Sequence, residues 1–142
     1  MSIINSFIDE LNIPEQKPLK KPVNSLQQNI KFPVDPVMKL KLRTMCKQAS
    51  RLHNKEISQT KFNTLLLRYG IQQIKTVDFS IPYQDSKVYM HSNLKKNGEY
   101  PIIGGPYGIA IRYGISERRT VYCIMVAMIR WVEQSGKLEK IL

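Results

Sequence analysis

Leu67-Arg-Tyr-Gly-Ile-Gln-Gln-Ile-Lys-Thr-Val77 and Ile111-Arg-Tyr-Gly-Ile-Ser-Glu-Arg-Arg-Thr-Val121 are two copies of one string, set 44 residues apart. Six of the eleven positions are identical: Arg, Tyr, Gly, Ile, Thr and Val. Read physically, the string suits a helix-turn-helix. The first helix ends at the glycine, which enters a tight left-handed turn without steric cost. The isoleucine then turns inward, a polar residue caps the second helix, and the valine returns to the buried face. Ser116 is a good cap and Gln72 a poor one, so the second copy carries the stronger signal. Residues just after each glycine point outward at a helix amino end, where recognition helices meet base edges and phosphates.

Charge supports a polyanion partner. The net charge is +11, yet residues 1–36 hold four lysines against four carboxylates. The excess therefore lies in 37–142, with 18 basic and 7 acidic residues, and Val37 to Gly70 has eight basic residues against Glu56 alone. A basic folded region implies a charged surface of fixed shape.

Five of the eight prolines fall within the first 36 residues, which predicts an extended arm. A short amphipathic helix is expected at Ile3–Leu11. From Asp35-Pro36 a long helix is predicted, with Asp as cap and Pro in the first turn. A second runs from Ser58 to Tyr69, with Gly70 as its stop, and residues 71–79 suit a short third. Lys87–Leu94 and Glu99–Ile103 read as a hairpin turned at Asn97-Gly98. A short helix, Tyr107–Tyr113, precedes a long one from Ser116 to Gln134. Its face Val121, Ile124, Met125, Met128, Trp131 and Val132 is apolar at helical spacing. Only its first turn is expected to be free for a ligand.

Other chemistries find little support. Cys46 and Cys123 stand alone, as do His53 and His91, so no metal site or cofactor is expected. Gly104-Gly105-Pro106 lacks the Lys-Ser/Thr of a phosphate loop, and no catalytic constellation is visible: the chain is not expected to be an enzyme. No apolar run reaches the roughly 18 residues of a membrane span and no leader pattern is present, so a cytoplasmic protein is expected.

The segment Ile111–Tyr122, followed by Trp131-Val-Glu-Gln-Ser-Gly-Lys-Leu138, resembles the excisionase/MerR-like winged helices. Two such units in so short a chain resemble the TraN-type DNA-binding proteins of Gram-positive conjugative plasmids. That resemblance, over residues 37–142, implies a mainly α (α+β) fold. Two winged helix-turn-helix units would be paired within a monomer, at 37–103 and 104–142, behind the arm 1–36. It implies double-stranded DNA near a transfer origin as ligand, with other conjugation proteins meeting the arm. Contacts would fall on Gln72, Gln73, Lys75 and Thr76 in the first unit. In the second they would be Ser116, Arg118, Arg119 and Thr120, with Lys95, Lys96 and Asn97 on the hairpin as wing. A transcription regulator or excisionase-like architectural factor on the same fold is the alternative. RNA binding or a protein-interaction adaptor is a further one.

Overall fold

Strict alternation of apolar residues begins inside the supposed arm. In the computed structural model, which describes residues 26–134 and 136–142, Gln27–Pro33 forms strand β1. Ile30, Phe32 and Val34 point into the core while Asn29 and Lys31 face out, the period of two that a half-buried strand requires. Its partner is β2, Tyr89–Lys95, antiparallel, with Ile30 opposite Ser92 and Phe32 opposite Met90. Pro33 is tolerated because it closes the strand. The expected residues 1–25 of the arm, Ile3–Leu11 included, lie outside the described residues.

Helix α1, Pro36–His53, starts where the sequence places it. Asp35 accepts the Met38 N–H at 2.8 Å, Pro36 opens the first turn, and Asn54 stops the helix in the left-handed region. Helix α2, Gln59–Gln72, is capped by Ser58, which accepts from the Lys61 N–H. It does not stop at Gly70. The helix runs through that residue to Gln72, and Ile74–Thr76 adds a single 3-10 turn. Gly70 serves contact instead: a Cβ there would collide with Ile124 and lie 2.9 Å from Met128 Cγ.

The hairpin predicted at 87–103 is not formed. Gly98 does turn the chain, at φ +91°, but Tyr100–Gly104 is a short helix, α3. Pro101 lies in its first turn, where a missing N–H harms nothing and where the proline could not have served a ladder. Glu99 accepts both the Lys95 N–H (2.8 Å) and the Arg68 guanidinium, which fixes this corner. The unit boundary expected at 103/104 therefore falls inside a helix. The outer edge of β2 is closed by α2: Asn63, fully buried, donates to the His91 carbonyl, and Thr64 accepts from the Asn93 N–H.

Helix α4, Ile109–Tyr113, leads through Gly114 to α5, Glu117–Gln134. Val121, Ile124, Met125 and Met128 are buried as expected, and so is Cys123 on the opposite side of the helix. The segment between α2 and β2 covers that side, with Tyr83 stacked edge-on against Tyr122. One apolar core joins β1, β2, α1, α2 and α5. The result is a mainly α, α+β fold built around α5.

Candidate nucleic-acid interface

The α4–α5 junction is the part of the repeat that turns. Gly114 adopts φ +64°, a conformation open to glycine at little cost. The Ile115 N–H donates to the Ala110 carbonyl and the Gly114 N–H to that of Ile111, the paired bonds of a Schellman ending. Ser116 then caps α5 by accepting the Arg119 N–H at 3.0 Å. The amide-rich start of an 18-residue helix is thereby held at the surface, where the helix dipole favours anions.

Of the residues expected to contact DNA here, each has a different fate. Ser116 is exposed. Thr120 is fully buried, its hydroxyl donating to the Ser116 carbonyl, so it braces the first turn and cannot reach a ligand. Arg118 donates to Asp85 Oδ2 (3.1 Å) and to the Tyr89 hydroxyl (3.2 Å) and lies over the Tyr89 ring. Lys31 Nζ sits 4.5 Å from the centroid of the same ring. Arg119 lies over the Tyr83 ring, and its Nε is buried without a hydrogen-bond partner among the described residues.

Asp85 organises this corner. It accepts from the Tyr89 hydroxyl, the Lys87 N–H and Arg118, and the Tyr89 bond above all holds its carboxyl below the usual range. The same bond pushes the Tyr89 hydroxyl up. Beside it lies a groove of about 690 Å³ whose walls include Asn29, Lys31, Ser116 and Arg118. Glu117, also on its wall, is held by the Tyr100 hydroxyl at 2.7 Å. Lys31 and Asn29 escape a sequence reading that takes residues 1–36 as an extended arm. The alternation Ile30, Phe32, Val34 is the signal that reveals them.

The other expected contacts do not join this site. Gln72 is the last residue of α2, and Gln73 caps its carboxyl end through bonds to the Tyr69 and Gly70 carbonyls. Lys75 and Thr76 are exposed on the 3-10 turn that follows. This end of a helix presents carbonyls, which repel phosphate. Lys95, Lys96 and Asn97 are exposed at the end of β2 and its turn, on no wing hairpin.

Cys46 and Cys123 are free and buried, and burial pushes both thiols up. Among the described residues, no group of His, Cys, Asp and Glu is placed to hold a metal ion, and no helix is long and apolar enough to cross a membrane. The chain gives no significant match to any family model, curated protein or solved structure.

Proposed function

We propose that the protein binds double-stranded DNA, with α4–Gly114–α5 as its helix-turn-helix and the start of α5 directed at the major groove. One observation carries the reading: the amino end of α5, capped by the exposed Ser116, opens on a groove walled by Lys31, Asn29 and Arg118, with Asp85 and Glu117 each held by a neighbouring side chain. The basic excess of residues 37–142 adds the long-range attraction that such binding requires. Strand β1 packs on α5 and takes the place of a wing, offering Lys31 to a flanking phosphate. Arg118 reaches a base or phosphate by exchanging Asp85 for it, so its reading is gated by that ion pair. With the first copy of the string at a helix carboxyl end, each monomer offers one reading helix rather than two.

Within this reading, the resemblance of Ile111–Tyr122 favours an accessory factor of plasmid conjugative transfer that acts near the transfer origin. A transcription regulator or excisionase-like factor would use the same contacts. Gel shifts in rising salt with duplex, single-stranded DNA and RNA of equal length test the proposal. Preference for the duplex, falling steeply with salt, is the expected result. Equal affinity for all three, or none, overturns it.

A further inference from the structure

Lys39, Arg43, Lys47 and Arg51 follow one another at four-residue intervals along α1. That spacing keeps them in one slowly winding stripe, with about 6 Å of helix rise between neighbours. All four line a groove of about 930 Å³, which Lys55 closes from the loop leading to α2. Glu56 is the one carboxylate on its wall.

The stripe is also left without internal partners. Lys41, on another face of α1, pairs with Glu133 at 2.9 Å; Arg68 pairs with Glu99 and Arg118 with Asp85. None of the five cations of the groove forms an ion pair among the described residues. The three successive like-charged pairs, each four residues apart, work against α1, which its Asp35 cap and its buried face hold in place. A polyanion lying along the stripe would relieve that repulsion.

We infer that the α1 groove is a second track for nucleic acid, holding one sugar-phosphate backbone of the duplex along α1. The groove is concave and its cations follow a line, which fits a rod of regularly spaced phosphates better than a flat anionic membrane. One strand of a duplex offers a phosphate for about every 3.4 Å of axis, so each cation of the stripe finds a phosphate without demanding a sequence. The start of α2, capped by Ser58 at one end of the groove, adds free amides of the right polarity. No residue lines both this groove and the one at the start of α5, so the two make separate contributions. The α5 end reads and the α1 track holds.

This inference rests on the duplex-binding reading, and the experiment separates the two. Arg43, Lys47 and Arg51 are exposed, and glutamine forms helix about as well as either residue. The triple variant R43Q/K47Q/R51Q is therefore expected to keep the wild-type circular dichroism and to unfold at the wild-type midpoint or slightly above it, since like-charge repulsion along α1 is removed. Binding of a random-sequence duplex is followed by fluorescence anisotropy across a salt series, for wild type and variant. Loss of three phosphate contacts should lower the slope of log K against log salt by roughly 2 to 3 and weaken binding at least tenfold. The loss should be the same on every duplex sequence. A wild type that binds and a folded variant with an unchanged slope overturn the α1 track alone. A wild type that ignores duplex overturns both readings, as does one captured by anionic phospholipid vesicles but not by DNA.

Discussion

Arg68–Val77 and Arg112–Val121 share six residues and fold in opposite ways. In the first copy the glycine is helical and pressed against Ile124 and Met128; in the second it is left-handed with open space where a Cβ would go. Arg68 is tied to Glu99, whereas Arg112 is exposed. Thr76 is exposed on a 3-10 turn, whereas Thr120 is fully buried. The tyrosines behave alike, each stacked on an aromatic partner, Tyr69 on Trp131 and Tyr113 on Phe79, and so do Ile71 and Ile115, both half-buried against the core. The difference turns on the residue two places past the glycine. Ser116 can cap a new helix and lets the chain turn; Gln72 cannot, and the helix continues. A shared string thus sets hydrophobic partners, while one capping residue decides direction.

The largest effects should separate the two glycines. Gly70→Asn forces an amide into the contact with α5 and should cost about 3 kcal/mol through overpacking and an unsatisfied polar group. Gly114→Asn keeps a residue that tolerates the left-handed region and should cost only about 0.5 kcal/mol. Urea unfolding of both variants measures this, and equal losses would erase the distinction.

Next come the two arginines. Arg68→Ala strips Glu99 of its guanidinium and should cost about 1.5 kcal/mol, against less than about 0.5 kcal/mol for Arg112→Ala. The effect of Arg68 should depend on pH. Glu99 is pushed up by burial, but the Arg68 and Lys95 hydrogen bonds outweigh this and leave its carboxyl below the usual range. A depressed folded value means stability that is present above the unfolded carboxylate value of about 4.3 and lost as pH falls through the folded one. The gap between wild type and Arg68→Ala should therefore narrow on acidification below about pH 4. A gap that holds constant from pH 7 to 3 would deny the ion pair its role.

The smallest contrast concerns the caps. Ser116→Ala should cost about 1 kcal/mol, and Gln72→Ala, at an exposed helix end, almost nothing. Thermal melts resolve the pair, and a comparable loss at Gln72 would mean that the first copy also begins a helix.

Local chemistry made much of this legible. Asp35-Pro36, Ser58 and Ser116 mark helix starts by a bond from a side chain to its own helix, and each is made. What sequence could not reveal depends on distant partners. β1 pairs with a strand some 60 residues away, so prolines around it looked like linker and Asn97-Gly98 looked like a hairpin. Gly70 looks like a stop until α5 is set against it. Arg118 and Arg119 read as free cations, although Asp85, Tyr89 and Tyr83 come from loop and strand to engage them. The stripe on α1 was visible as a charge excess in 37–70, but only the groove beside it marks it as a surface.

The most direct measurement is a map of backbone amide shifts in nitrogen-15-labelled protein as duplex DNA is added. Shifts are expected at Ile115–Arg119, with others along Lys39–Arg51, and none at Gln72–Thr76. Shifts centred on Gln72–Thr76, with the start of α5 unmoved, would contradict it.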